Sequence, residues 1–524
     1  MHNQSSLAPV AGLSEARFPG HGEHAPLDLP NLSPRLEAQL ADLVVSPGFD
    51  DWAQALARVG NCAHPVRLHG HSTTLDAATG EVLSSYSSTE EPLGVTHVRC
   101  GNRRASVCPS CSRVYAADTY QLIRAGIVGG KTVPPTVAEN PLVFATLTAP
   151  SFGHVHGHRD GRPCRPHAGR KGAPRCRHGL PATCAARHGE NDPLVGRPLC
   201  PGCYDHASHL VWQWWAPELW KRFSIALRRS VAKALGVPAT RLEEVATVQY
   251  AKVAEYQRRG VIHFHALIRL DGPTTPDGFA PAPDRLDAPQ LAELIKDAAA
   301  GVRLTVTGVD RDDPARTLAF GAQVDTRPVT TRARPDDPDR SLTPGQVAGY
   351  LAKYATKAAD DHDTGTDVSS DPHHRRLRAV VRDLADRADA HQQATGDEAY
   401  AKLGEWTHML GFRGHFGTKS RRYSITLTAL RRARRRAQTL INQSRAQGKP
   451  LDLAALEADL LADDDHETTL VIGSWTYLGT GWPTEAQTVL ATAAAARARE
   501  HERWKAERRR DAHGPRDNQQ GRTE

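Results

Sequence analysis

Two histidines stand two residues apart in Gly260-Val-Ile-His-Phe-His-Ala-Leu-Ile-Arg-Leu270, inside an otherwise strongly apolar run. Side chains alternate across a β-strand, so His263 and His265 share one face while Ile262, Phe264 and Ala266 take the other. Two imidazoles on one face can bind the same divalent ion. The preceding Val245–Tyr256 also reads as a strand, and Gln257-Arg-Arg-Gly260 as the turn of a hairpin. If that turn centres on Arg259, Glu255 falls opposite His263, with Cβ atoms roughly 4.5–5.5 Å apart. A carboxylate and two imidazoles leave open positions on the ion for water and substrate oxygens. His154, His156 and His158, and the pair His69 and His71, repeat the spacing among Gly and charged residues, and read as loops.

A second constellation lies in Thr343-Pro-Gly-Gln-Val-Ala-Gly-Tyr350-Leu-Ala-Lys353-Tyr354-Ala-Thr-Lys357. Thr343 and the following Pro mark a helix start. Tyr350 and Tyr354 are four apart, as are Lys353 and Lys357, and such pairs share a helix face with roughly 5–6 Å between Cβ atoms. Two phenols, each followed three residues on by an ammonium, suit attack on a phosphodiester. The lysines would neutralise phosphate charge and favour the phenolate, since an unperturbed phenol titrates near pH ~10. The alternative is plain amphipathic packing, with Val347, Tyr350, Leu351, Tyr354 and Ala358 as a core stripe.

Nine cysteines supply a third chemistry. Their grouping favours metal over disulfides. Cys108-Pro-Ser-Cys111 presents two thiolates to one tetrahedral ion, and Cys62 and Cys100 are available to complete a Zn²⁺ site, with a redox dithiol as the alternative. Cys200-Pro-Gly-Cys203 is a second such turn. Cys176 and Cys184 are its expected partners, with His178, His188 and Cys164 in reserve, so about two Zn²⁺ per chain are expected. The Gly/His/Arg-rich segment holding this second group has no hydrophobic core of its own and would need metal to keep a shape.

Several elements must carry these groups. Pro34–Leu56 has helical apolar spacing, His97–Cys100 is strand-like, and Pro141–Thr148 reads as a buried strand. Leu210–Leu235 is a helix whose tryptophans belong to a core, and Ala288–Ala300 is another. Val302–Val306 and Thr317–Val324 read as strands, 375–393 as a helix, Thr468–Tyr477 as a strand and 484–510 as a helix. Hairpins mixed with helices predict an α+β fold with a central antiparallel sheet and flanking helices. The 524 residues, 39% hydrophobic and 24% charged, suit a globular protein of two to four domains. No apolar run reaches membrane-spanning length and no secretory leader is evident, which predicts a cytoplasmic protein. The net charge is +7, and Arg supplies 54 of the 66 basic residues. Phe412-Arg-Gly-His-Phe-Gly-Thr-Lys419-Ser-Arg-Arg-Tyr-Ser and Leu430-Arg-Arg-Ala-Arg-Arg-Arg436 interleave aromatics with cations, as a DNA-backbone footprint does; a solvated basic helix is the alternative.

Taken in order, the Thr146-Leu-Thr148 strand, His263-Phe-His265 and Tyr350-Leu-Ala-Lys-Tyr354-Ala-Thr-Lys357 resemble the three motifs of rolling-circle replication initiators of the His-hydrophobic-His (HUH) endonuclease superfamily. The paired tyrosines are similar to those of the replication A protein of small single-stranded DNA phages. The wider chain, with Cys100/Cys108/Cys111, Cys200-Pro-Gly-Cys-Tyr-Asp and Phe412-Arg-Gly-His-Phe, resembles RepSA-type initiators of actinomycete plasmids and integrative elements over most of 60–480.

The resemblance implies a five-strand antiparallel sheet with Mg²⁺ or Mn²⁺ at the two histidines. It implies a tyrosine that attacks one origin strand, keeps the 5′-phosphate and frees a 3′-hydroxyl, with duplex origin DNA, single-stranded at the nick, and a host helicase and polymerase as partners. In single-tyrosine relatives the Ala-Lys-Tyr-x-x-Lys pattern matches Tyr354, and a glutamate four residues earlier activates the terminal water. Tyr350 holds that position here, which points to a second transesterification. The expected segments are a flexible leader and helix over 1–60, a zinc-ribbon-like segment over 61–130, an endonuclease core over 140–360 with the cysteine-rich insertion at 153–206, a basic DNA-binding region over 361–480, and a helix and disordered tail over 481–524. Two other readings stay open, a two-tyrosine transposase and a non-catalytic zinc-dependent DNA-binding regulator.

Overall fold

Five antiparallel strands organise the middle of the chain: β1 (Leu142–Leu147), β2 (Thr247–Tyr256), β3 (Ile262–Asp271), β4 (Val324–Pro328) and β5 (Gly417–Lys419), in the order β4-β1-β3-β2-β5. The structure is a computed structural model that describes residues 32–131, 133–167, 172–276, 278–329, 343–355, 371–448 and 469–512. The fold is α+β, divided into two units, Ala117–Leu461 and Met1–Ala116 together with Ala462–Glu524.

β3 is the central strand and is buried along nearly its whole length, with one face apolar. Ile262, Phe264, Ala266, Ile268 and Leu270 join one core with Trp212, Leu219, Trp220, Phe223 and Leu227 of helix α1 (His206–Leu235), where the Trp220 and Phe264 ring centroids stand 5.5 Å apart. Burying a side chain such as Phe264 or Ile262 stabilises by about 1.5–3 kcal/mol. Asp205 caps α1 by accepting from Ser208 N, and Gly236 ends it at φ 75°, a left-handed conformation that glycine adopts without strain. α2 (Ala288–Gly301) begins with a reciprocal Asp287/Gln290 capping box and adds Leu291 and Ile295 to the same core.

The opposite face of the sheet is divided. Towards the C-terminal end of β3, Arg269 and Asp271 form a fully buried ion pair at 2.6 and 2.8 Å. Asn140 donates to Asp271 at 2.7 Å, Arg269 also donates to the Gly126 carbonyl, and its guanidinium lies over the Tyr423 ring. At the other end stand His263 and His265. There α3 (Pro344–Ala355) packs near β2, with Val347, Ala348, Leu351, Ala352 and Ala355 buried. Thr343 and Gln346 cap α3 reciprocally, Gln346 N donating to Thr343 Oγ1 and Thr343 N to Gln346 Oε1. α4 (Pro372–Thr395) follows, capped by Asp371.

The expected strand Thr317–Val324 is two strands. Arg316–Leu318 pairs with Leu304–Val306, whereas β4 begins at Val324 and pairs with β1. Gly321 interrupts them where its backbone closes on Ala149, so near that an added Cβ would sit 2.6 Å from the Ala149 carbonyl oxygen.

In the other unit, strand Val66–Asp76 pairs antiparallel with Thr469–Thr480, Val82–Ser87 and Thr96–Val98. Helices Pro34–Val45, Phe49–Arg58 and Glu485–Ala512 share a core through Leu40, Trp52, Leu56 and Leu490. His69 and His71, read as loop residues, lie on the Val66–Asp76 strand; Gly70 between them faces the Ser474 carbonyl, which an added Cβ would approach to 2.0 Å. The expected linear segments 61–130 and 361–480 each include residues of both units, and Thr469–Thr480 joins the unit of Val66–Asp76 by pairing with that strand. Among the described residues no helix is long and apolar enough to cross a membrane.

Arg269→Ala is expected to destabilise the Ala117–Leu461 unit by about 3–5 kcal/mol, because it strands a buried Asp271 carboxylate without its cation. Urea unfolding followed by tryptophan fluorescence measures this; a change below about 1 kcal/mol, one-third of the lower bound, would refute it.

Candidate functional site

The hairpin has the register that the turn at Arg259 implies: Tyr256 pairs with Ile262, and Glu255 with His263. Gly260 closes the turn at φ 80°. The buried Gln213 of α1 clamps it, accepting from Ile262 N at 2.9 Å and donating to the carbonyls of Gly260 and Leu410 at 3.1 and 3.0 Å. In this frame Glu255 Oε2 lies 2.9 Å from Nε2 of both His263 and His265.

Burial raises the Glu255 pKa, but hydrogen bonds from the two imidazoles outweigh it and hold the carboxyl at about 2. Burial also lowers the His265 pKa, which keeps that ring neutral as metal ligation requires. Thr146, directly across the β1–β3 ladder, places Oγ1 3.0 Å from His265 Nδ1. An Nδ1–H donated to Thr146 leaves Nε2 as the ligand atom. Gln257 Nε2 stands 3.4 Å from His263 Nδ1 and can fix the second ring. Glu255, His263 and His265 thus converge as a group that could hold one metal ion, and an oxygen 2.9 Å from each of two nitrogens fits a corner adjacent to each on an octahedral ion with bonds of about 2.0–2.2 Å. Thr146 and Gln257 are supporting residues that the spacing of charged and metal-binding types does not reveal.

α3 brings both tyrosines to this cluster. Tyr350 Oη is 3.4 Å from His265 Nε2, the Tyr350 and Tyr354 ring centroids lie 5.2 and 5.8 Å from that of His265, and the two phenol rings are 4.4 Å apart. Phe144 backs His265 with a stacked ring. Burial raises both phenol pKa values, and the charge of Glu255 adds to the shift. Lys353 Nζ stands 5.8 Å from the Tyr354 ring centroid. Lys357 lies outside the described residues.

Among the described residues the cysteines form three groups, two of them with histidines. Cys62, Cys100, Cys108 and Cys111 come together as expected from their spacing, with Cys62 Sγ 3.8 Å from Cys108 Sγ and 3.6 Å from Cys111 Sγ. Sulfurs on a tetrahedral Zn²⁺, with bonds of about 2.3 Å, stand about 3.8 Å apart. The grouping Cys176/Cys184/Cys200/Cys203 needs correction. His178, not Cys184, joins Cys176, Cys200 and Cys203, its Nδ1 lying 3.4 and 3.2 Å from the Cys200 and Cys203 sulfurs. The cause is local: a tight turn, with Cys176 N donating to Leu180 O and Gly179 N to Cys176 O, swings His178 towards Cys203. Cys184 exchanges backbone hydrogen bonds with Arg165, which sets it beside Cys164, His156 and His188.

The basic stretch also differs from its reading. Phe412, Phe416 and Tyr423 are buried core residues, and Lys419 Nζ is spent on backbone carbonyls of Ser420, Arg421 and Ser424. The cations remain on helix Leu427–Ala446, where Arg431, Arg432 and Arg435 are exposed and Arg431 and Arg434 also pair with the buried Asp118.

The family model described as RepSA: Replication initiator protein, pSAM2 matches residues 48–496. A replication initiator protein of Streptomyces ambofaciens is 41% identical over 483 residues, covering 88% of this chain and 94% of that protein. No solved structure matches the chain.

His265→Ala is expected to abolish Mn²⁺ binding at the Glu255/His263/His265 cluster in calorimetric titration. Thr146→Val, which removes only the group orienting His265, should weaken it about 10–100-fold. Undiminished affinity in His265→Ala would show that this cluster is not a metal site.

Proposed function

The chain belongs to the RepSA family of replication initiators, and from that premise we propose that it starts rolling-circle replication of a plasmid or integrative element as an HUH-type nicking enzyme. The observation that carries this reading is the placement of two phenols against a carboxylate–imidazole–imidazole cluster on the central hairpin.

A divalent ion such as Mg²⁺ or Mn²⁺, held by Glu255, His263 and His265, would supply Lewis acidity to the scissile phosphate. The chain's own residues do the rest. Tyr354, which matches the Ala-Lys-Tyr-x-x-Lys pattern, loses its proton and attacks phosphorus; the P–O3′ bond breaks, the 3′-oxygen takes up a proton, and the 5′-phosphate stays on the tyrosine. The bond energy is conserved in a phosphodiester that can be rejoined. Lys353, beside the Tyr354 ring, neutralises phosphate charge, and Lys357 is assigned the same task. Tyr350, one helical turn away on the same face, accepts the regenerated origin at the end of a round without a large rearrangement. Exposed arginines on Leu427–Ala446 supply phosphate contacts. Cys62/Cys100/Cys108/Cys111 and Cys176/His178/Cys200/Cys203 hold structural Zn²⁺. The protein works in the cytoplasm on duplex origin DNA, single-stranded at the nick, and hands the free 3′-hydroxyl to host helicase and polymerase.

Trapping the covalent adduct on a supercoiled origin plasmid tests this. Tyr354→Phe should lose most initial nicking while binding the origin, because phenylalanine keeps the packing without the nucleophile. Tyr350→Phe should nick but accumulate unresolved linked products. An adduct in the double variant would place the nucleophile elsewhere, and a wild-type protein that shifts origin mobility without nicking it would make this a DNA-binding regulator.

A further inference from the structure

The nicking reading leaves one group unused: His156, Cys164, Cys184 and His188, in the segment between β1 and α1. His156 Nδ1 lies 3.1 Å from His188 Nε2, and Cys184 Sγ 3.5 Å from the same Nε2. Two nitrogens and two sulfurs on a tetrahedral Zn²⁺, with Zn–N of about 2.0–2.1 Å and Zn–S of about 2.3 Å, stand about 3.3–3.8 Å apart. The backbone supports the assignment, since Gly157 N donates to Cys164 Sγ at 3.2 Å, a contact that suits a thiolate. So does the histidine orientation. His188, whose side chain is 2% exposed, gives its Nδ1–H to Asp192 Oδ2 at 2.7 Å and points Nε2 into the group. A carboxylate behind an imidazole is the usual outer partner of a metal-bound histidine.

The same loop touches the hairpin turn. Arg258 donates to the Asp192 carbonyl at 3.2 Å and to Asn191 Oδ1 at 3.3 Å. Gly196, at φ 93°, lies so close to the Arg258 backbone that an added Cβ would sit 2.6 Å from its carbonyl carbon. Gly196 and Arg197 in turn exchange backbone hydrogen bonds with the ligand His156, and the Arg197 side chain pairs with Asp371 at the start of α4. His156 and Gly196 share the wall of a cavity of about 630 Å³ with Gln257, Arg258 and Arg259. Within the turn, Arg259 Nε donates to Gln257 Oε1 at 2.9 Å, and Gln257 reaches His263.

We propose that His156, Cys164, Cys184 and His188 form a Zn²⁺ site, separate from the two cysteine-rich groups, that braces the hairpin turn carrying His263. The metal closes the 156–188 loop, Asp192 and Gly196 are thereby pressed onto Arg258, and the turn holds Gln257 against the His263 ring. The site is a positioning device, and its presence does not depend on the nicking chemistry.

The test uses the full chain and two readouts besides activity, zinc content by elemental analysis and amide hydrogen exchange at Gln257–Gly260. Cys164→Ser and His188→Ala should each lose one zinc relative to the unaltered protein, and exchange at the turn should rise about tenfold or more, whereas Cys108→Ser should lose a zinc without changing that exchange. Two milder changes decide the matter if those proteins fold poorly. His156→Cys, which keeps a zinc-competent ligand set, should retain the metal where His156→Ala loses it, and Asp192→Asn should surrender one zinc to a chelator about 10–100-fold more readily. Undiminished zinc content in Cys164→Ser, His188→Ala and His156→Ala would overturn the site. Loss of zinc with unchanged exchange at the turn would overturn the brace.

Discussion

Everything at the candidate site depends on the antiparallel register of β2 against β3. That register sets Glu255 across from His263, and alternation along β3 adds His265 on the same face. A slip of one residue would drive both histidines into the core under α1 and turn Phe264 out. The register is over-determined. Phe264 and Ile262 fill the core, and Gln213 satisfies both its amide groups on Ile262, Gly260 and Leu410. A slipped hairpin would leave that buried amide without partners, at a cost of about 1–3 kcal/mol for each orphaned group, besides exposing the apolar face.

Burial and hydrogen bonding set the electrostatics of the cluster. Glu255 is held ionised by its two imidazoles while burial lowers the His265 pKa, so a carboxylate charge stands beside two phenols. That charge, with burial, raises both tyrosines above the usual phenol range. The carboxylate that would hold a cation therefore also suppresses the phenolate in the cation's absence.

The hairpin was legible because an apolar run interrupted by two alternate histidines has few other readings, and a turn centred on Arg259 fixes Glu255 arithmetically. The Tyr350/Tyr354 face was legible from the four-residue spacing. What failed was what local spacing does not carry. Cys184 and His178 exchanged groups because the pairings are set by backbone bridges at Arg165 and Leu180, which no ligand count anticipates. Val66–Asp76 escaped notice because its residues are mostly Ser, Thr, His and Gly and its partner strand lies near the other end of the chain. Phe412, Phe416 and Tyr423 were read into a DNA-backbone footprint because cations flank them in sequence, but the rings turn into the core and Lys419 is held by backbone carbonyls.

The Cys/His groups between β1 and α1 lie in a segment with little apolar surface to bury and no hydrophobic core of its own to fold around. Ligation of a metal by these groups would replace that core with a few strong local bonds and order a polar loop. The hairpin is backed on one side by tryptophans and held at its turn by that polar loop, with Tyr350 and Tyr354 set against His265.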